Sequence, residues 1–229
     1  MGKPRPFAYR GLYLRDCGTL VLADLHLGRG HRAGVHAPIG AASAVRERTE
    51  RLLSRFEPTT VVLAGDVLDA FETVPPGVPD RLDTLLGMIR DAGARPVLLA
   101  GNHDGLLAAL VNEPVCASHR VGETVIGHGH EALPSAERYV IGHVHPALRI
   151  EGRKRACFLV GPAADGGELV VLPAASDAVR GTVIRRRRAF GESPLFPSDR
   201  VGAFRPIVHD ESADETFVFP RLDRLWGFL

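Results

Sequence analysis

Cysteine is scarce: Cys17, Cys116 and Cys157 are the only three in 229 residues. Scattered and odd in number, they show neither a disulfide framework nor a zinc-ribbon spacing, and they point to a reducing cytosol. An excess of one charge sign is also lacking. Twenty-eight basic residues face 27 acidic ones, a formal net charge of +1. That balance lends no general support to binding of nucleic acid or membrane. No run approaches the roughly 18 to 20 apolar residues a membrane span needs. The opening Met1-Gly2-Lys3-Pro4-Arg5-Pro6 has no apolar core of a secretory signal. A soluble cytoplasmic protein is expected. With 45% hydrophobic residues, the chain can form one large domain with a substantial core, or two small ones.

What the sequence does have is a repeated kind of strand ending. Val97-Leu98-Leu99-Ala100 runs into Gly101-Asn102-His103-Asp104. A short apolar run bounded by a turn signal reads as a buried strand, and Gly101 is expected to let the backbone bend sharply where the strand stops. Leu20–Ala23 likewise runs into Asp24-Leu25-His26, and Val61–Ala64 into Gly65-Asp66-Val67-Leu68-Asp69. Thr124–Ile126 leads to Gly127-His128-Gly129-His130, and Tyr139–Ile141 to Gly142-His143-Val144-His145. Open α/β sheets place ligands at such strand ends. Singly, Asp24, Asp66 and Asn102 read equally well as turn residues, and each histidine as a half-buried polar group. Five endings with metal-type side chains together imply a shared site.

In chain order, residues 7 to 24 read as a hairpin turning around Asp16-Cys17-Gly18. Extended geometry would put Asp24 and His26 on one face. The Gly- and His-rich residues 28 to 40 read as a loop. Ala41–Phe56 is expected to be helical, with Arg46, Arg48, Arg51 and Arg55 on its solvated face. Asp80 suits the N-cap of a helix to about Ala92, with Leu82, Leu85, Leu86 and Ile89 on its apolar stripe. The resulting β-α-β-α-β order predicts parallel strands. Beyond residue 112, closely spaced strands predict a mainly antiparallel sheet: Val115–Ser118, Thr124–Gly127, Tyr139–Gly142, Ala147–Ile150, Ala156–Val160 and Glu168–Leu172. Thr216–Phe219 is a candidate last strand.

Asp24-x-His26, Gly65-Asp66-x-x-Asp69, Gly101-Asn102-His103-Asp104, Gly127-His128-Gly129-His130 and Gly142-His143-x-His145 stand in the order of the calcineurin-like metallophosphoesterases, which the chain resembles over residues 24 to 145. Ala23-Asp24-Leu25-His26-Leu27-Gly28 with Arg29, the compact length, and Glu168–Pro173 resemble the ICC-like branch that includes DNA-ligase-associated phosphoesterases. The resemblance implies an α/β fold, a four-layer αββα sandwich of two mixed β-sheets flanked by helices. It also implies one domain over 1–229, with a motif core at 19–146 and C-terminal strands and a tail at 147–229.

The resemblance implies two divalent cations. Carboxylate, amide and imidazole donors suit Mn, Fe or Zn, with Mn favoured. One cation would take Asp24, His26, Asp66 and His145, and the other Asp66, Asn102, His128 and His143. His103 would protonate the leaving group, with Asp69 as its carboxylate partner and Asp104 as the alternative. Arg29 is a candidate fork for phosphate oxygens. His130 is expected near the site but not as a ligand. His31 and His36 read as loop surface, and Arg185–Arg188 as a solvated strand end or a nucleic-acid patch. The implied activity is hydrolysis of phosphodiesters, in preference to monoesters, by a metal-activated water; the resemblance leaves the substrate open, nucleotides and nucleic acids among those it allows. The alternatives are a DNA-repair nuclease and a catalytically silent metal-binding scaffold.

Overall fold

Alternation of apolar residues decides how the strands stack. The computed structural model describes residues 6–29, 40–70, 72–184 and 193–227. Strands β1 (Phe7–Ala8), β2 (Gly11–Leu14) and β3 (Thr19–Leu22) pair antiparallel. Helix α1 (Gly40–Phe56) leads to β4 (Thr60–Ala64), and α2 (Val78–Asp91) leads to β5 (Arg95–Leu99). β3, β4, β5 and the short β6 (Val115–Cys116) are parallel, as the expected crossovers require. These six strands form the first sheet in sequence order.

The remaining strands are β7 (Ser118–Val121), β8 (Thr124–Gly127), β9 (Arg138–Ile141), β10 (Pro146–Ile150), β11 (Arg153–Ala156), β12 (Phe158–Pro162), β13 (Glu168–Val171), β14 (Thr182–Val183), β15 (Arg205–Asp210) and β16 (Glu215–Val218). The second sheet runs β16-β15-β12-β13-β9-β8-β7, and a small sheet runs β11-β10-β14. In the second sheet β8, β9 and β13 are mutually parallel and the other pairs antiparallel.

The two large sheets stack face to face. Val21, Ala23, Val62, Ala64 and Leu99 of the first meet Ile126, Val140, Phe158, Val170 and Ile207 of the second. The intervening residues Leu20, Leu22, Val61, Leu63 and Leu98 face Leu52 of α1 and Leu82, Leu86 and Ile89 of α2. Each such side chain contributes about 1.5–3 kcal/mol when fully buried. The outer face of the second sheet is covered by Leu195, Phe196 and Phe204, and by Leu222 of a short helical turn. The architecture is the mixed α/β sandwich expected, with the second outer layer thin among the described residues. No helix among them is long and apolar enough to cross a membrane.

Several local expectations change. The helix containing Asp80 starts earlier, after Gly77 (φ +76°), with a proline in its first turn; Asp80 makes no side-chain cap. Proline suits that position because its missing N–H would be unpaired there. The expected strand Val115–Ser118 divides at Ala117, where the chain passes from the first sheet to the second. Ala156–Val160 divides at Cys157, between the small sheet and the second. Arg205–Asp210 forms a further strand, pairing with both β12 and β16.

The arginine face of α1 is not wholly solvated. Arg48 is buried: its Nη1 donates to Ala175 O at 2.9 Å, its Nη2 to Asp177 Oδ2 at 2.9 Å, and its Nε to Glu211 Oε1 at 2.8 Å. Arg10 holds the same segment, donating to Ala174 O and Ser176 O and pairing with Asp177. Arg55 pairs with Asp214. An arginine facing partners 127 residues or more away cannot be told from a surface one by its own helix pattern. Arg48→Ala is expected to cost about 2 kcal/mol, since a buried carbonyl and two carboxylates lose their donor. Calorimetry should then show Tm lowered by about 4–8 °C; an unchanged Tm would refute the clamp.

Candidate metal centre

The two sheets bring the C-terminal ends of β3, β4, β5, β8 and β9 to one edge, where the strand-ending residues converge. Asp24, His26, Asp66 and His145 present ligand atoms all within 4.8 Å of one another. His145 Nε2 lies 3.1 Å from Asp24 Oδ1, and His26 Nε2 lies 3.6 Å from Asp66 Oδ2. The other expected set meets around His128 Nε2. That atom is 3.0 Å from Asn102 Oδ1, 3.2 Å from His143 Nδ1 and 3.4 Å from Asp66 Oδ1. Asp66 thus touches both sets.

The backbone at these ends is unusual. Asp24 (φ +58°), His26 (+47°), Asp66 (+48°), His143 (+64°) and His145 (+48°) all occupy the left-handed region. Asp24 and His26 are therefore not on an extended strand as expected; two left-handed residues separated by Leu25 are both buried at the site. Each such residue costs on the order of 1–3 kcal/mol, so surrounding bonds must hold it. The His143 amide donates to both Asp24 oxygens, at 3.1 and 3.0 Å, and the His103 amide to Asp66 Oδ1 at 2.9 Å. The Asp24 carbonyl accepts from the Ser176 amide at 3.4 Å, within the segment Arg10 and Arg48 clamp.

Gly101 does not adopt a positive φ. Its need is space: a Cβ there would lie 2.2 Å from the Asp66 amide nitrogen and Oδ1. Gly142 similarly leaves room for Asp24, whose Oδ2 would lie 2.5 Å from an added Cβ. The glycines let one strand end approach the ligand of another.

Charge is tightly balanced here. Burial opposes ionisation of Asp24, but His145, His128 and His26 hold its carboxyl below the usual range. Asp66 is likewise burdened by burial and carried well below that range by His128 and the His103 amide. Burial also disfavours a charged His128, yet Asp66 and Asp24 raise its pKa. Burial pushes His26 down to about 4 despite Asp24 and Asp66.

The donor set fits divalent cations. Both ring nitrogens of His26, and His145 Nε2, are buried without a hydrogen-bond partner among the described residues. A neutral imidazole aimed at carboxylates is the state a metal ligand requires. Acid should destabilise the cation-free protein through the same group. His26 binds its proton only below about 4 when folded but near 6.5 when unfolded. The unfolded state therefore takes up more protons in this window, and stability falls as pH falls through it. The loss is about 3 kcal/mol; His143 and His209, also lowered by burial, act in the same sense. His128 acts oppositely, but above pH 6.5, toward its raised value. Urea midpoints of metal-stripped protein should drop between pH 7 and 4.5, and equal midpoints would contradict this balance.

His103 Nδ1 lies 2.9 Å from Asp69 Oδ1, and its Nε2 3.9 Å from Asp66 Oδ2. Asp104 faces elsewhere. Its carboxylate accepts from the amides of Val67, Leu68 and Gly101 at 3.2, 2.7 and 2.9 Å, pinning the turn after β4 to that after β5. Two of those three amides lie 36 and 37 residues away, so no local pattern around Asp104 marks this role. His130 packs near His128 and His143, with ring centroids at 5.1 and 6.1 Å. Half-buried Arg29 follows His26, its amide donating to the His26 carbonyl at 3.2 Å. His31, His36 and Arg185–Arg188 lie outside the described residues.

The structure of the Pseudomonas putida nuclease MPE matches this one with a TM-score of 0.67 and 22% identity, over 93% of each chain. The two chains share one fold, the mixed α/β sandwich described above. YfcE, a phosphoesterase from E. coli, aligns at a TM-score of 0.45 and 15% identity over 89% of this chain and 98% of its own, too loosely to argue from. No protein-family model and no curated protein matches the sequence. The arginine clamp on Ala174–Asp177 supports the site from behind; nothing in the local sequence of Arg10 or Arg48 marks it, because its partners are distant.

Proposed function

We propose that this chain is a dinuclear-metal-dependent phosphodiesterase, cleaving phosphodiesters with water. The observation that carries the reading is the convergence of buried carboxylate, amide and imidazole donors with unpartnered His26 nitrogens. Asp24, His26, Asp66 and His145 would hold one cation, and Asp66, Asn102, His128 and His143 the other, with Mn²⁺ favoured and Fe or Zn compatible. When bound, such a pair supplies Lewis acidity toward a phosphoryl oxygen and an acidified water.

The chain's own residues do the rest. Asp69 orients the His103 ring through Nδ1, leaving Nε2 on the side of Asp66, where it gives its proton to the departing alkoxide. Engagement of Asp104 with three amides supports Asp69 as that partner. Arg29, three residues after His26, would bind non-bridging phosphate oxygens as a fork. The free thiols Cys17, Cys116 and Cys157 suit a cytoplasmic setting, and residues 1–229 are read as one domain.

A second reading, a nuclease, is favoured by the fold shared with a protein named as one. Stripping the metal, restoring Mn²⁺ and assaying an aryl phosphodiester beside its monoester tests the main reading. Metal-dependent turnover, faster on the diester, supports it. No turnover of either ester with two metals bound overturns it in favour of a specialised nuclease or a silent scaffold.

A further inference from the structure

Behind the candidate centre, one segment links the two large sheets. β13 ends at Val171, and the Leu172 amide donates to the Ile141 carbonyl at 2.8 Å, where β9 closes. Three residues on, the Ala175 amide donates to the Ala23 carbonyl at 2.9 Å. The Ser176 amide donates to the Asp24 carbonyl at 3.4 Å. The segment thus ties the strand end bearing Asp24 and His26 to the one bearing His143 and His145.

The two peptide units that donate to Ala23 and Asp24 are each held by an arginine on the opposite side. The Ala174 carbonyl shares a peptide plane with the Ala175 amide and accepts from Arg10 Nη1 at 3.0 Å. The Ala175 carbonyl shares one with the Ser176 amide and accepts from Arg48 Nη1 at 2.9 Å. A cation at the carbonyl polarises its peptide unit, so the amide across the unit becomes a stronger donor. Asp177 and Glu211 each pair with both arginines and hold their forks in place. Lysine has no such fork, and a single ammonium cannot serve a carbonyl and two carboxylates in that planar arrangement.

What this grip fixes is the carbonyl of a strained residue. Asp24 is left-handed, at φ +58°. Its amide donates to Gly65 O at 3.1 Å, its carboxylate receives the His143 amide, and its carbonyl receives that of Ser176. The direction of the carbonyl is the ψ angle of Asp24, which decides where Leu25 and His26 go next. Both bonds from the segment land on the end of β3, which supplies Asp24 and His26. Asn102 and His128 come from the ends of β5 and β8.

We propose that Arg10 and Arg48 are positioning residues for the cation assigned to Asp24, His26, Asp66 and His145, setting its affinity through the Ala174–Ser176 peptides without touching it. The role rests on the two-cation reading above and goes beyond it, since both arginines lie outside the five strand-end motifs. The cation assigned to Asp66, Asn102, His128 and His143 depends on them less, because the relay ends on the backbone of the other set. Loss of an outer partner that orients metal ligands costs about 10–100-fold in affinity.

Mn²⁺ binding to the full-length chain, read from the free-ion EPR signal well below every Tm, separates this role from plain stabilisation. Arg48→Lys and Arg10→Lys should each weaken one of two bound Mn²⁺ by about 10–100-fold and leave the other at its wild-type affinity. Glu211→Gln, at a part-exposed position, loses an anchor of both forks and should weaken the same ion by a smaller factor. The Mn²⁺ concentration for half-maximal aryl diester hydrolysis should rise in step. Leu222→Ala supplies the comparison: it opens the core on the outer face of the second sheet and lowers Tm, yet should keep both ions at wild-type affinity. Wild-type affinity for both ions in the two lysine variants overturns the proposal. So does equal weakening of the two ions, or a Leu222→Ala variant weakened as much as Arg48→Lys. Where a lysine variant does not fold, Glu211→Gln decides by the same criterion. If Arg48→Lys weakens one ion selectively but the wild type hydrolyses neither ester, the positioning role stands and the phosphodiesterase reading fails.

Discussion

Replacing Asp66 with alanine is expected to reduce Mn²⁺-dependent hydrolysis of an aryl phosphodiester by about 10³-fold or more, since several kcal/mol of transition-state charge stabilisation depends on cation placement. Asp66 meets the Nε2 atom of a histidine in each donor set: its Oδ2 faces His26, its Oδ1 faces His128, and Oδ1 also receives the His103 amide. The loss should appear first as metal content, with elemental analysis showing less than the wild-type stoichiometry. Stability should fall as well, since His128 and the His103 amide lose a buried partner; turnover is therefore compared well below the variant's Tm. Asp66→Asn keeps the shape and an acceptor for the His103 amide. It is expected to lose turnover nearly as severely, separating charge from packing. Full turnover in either variant would eliminate the proposed bridging role.

Removing the imidazole of His103 is expected to leave metal content intact and lower kcat by about 10²–10⁴-fold, the usual worth of a positioned acid. The two variants thus divide the site, one failing in loading and the other in proton delivery. The dependence on leaving group sharpens the test. A diester with a weakly basic aryl leaving group needs little protonation, so His103→Ala should be least harmful there and most harmful with an alkyl group. Asp69→Asn should show the same trend at smaller amplitude, because Asp69 acts through the ring it orients at 2.9 Å. A deficit independent of the leaving group would assign His103 to binding instead.

The sequence made the strand ends legible because their chemistry is local. A buried apolar run followed by Asp, Asn or His can be read without knowing its neighbours, and the β-α-β-α-β half follows from periodicity. What it hid depends on distant partners. Gly101 looked like a hinge, yet its role is to admit Asp66 from another strand. Arg48 looked solvated, yet its partners lie far along the chain. The left-handed backbone at Asp24 and His26 was invisible because neither residue type demands it. The segments that change sheets at Ala117 and Cys157 read as single strands, since propensity does not register which sheet a residue joins.

Asp24 and His143, whose backbone amide binds both oxygens of that carboxylate, are 119 residues apart. Contacts of such long separation form late, because the entropy of closing the intervening loop must be met before they return anything. The proposed centre is therefore a kinetic endpoint: a nascent chain that has formed only the first sheet holds Asp24, His26, Asp66 and Asn102 but none of the three candidate ligands beyond residue 127. Cations bound at the proposed centre would draw the folding equilibrium toward the completed arrangement by mass action, so on that reading metal supply during synthesis governs how much native protein accumulates.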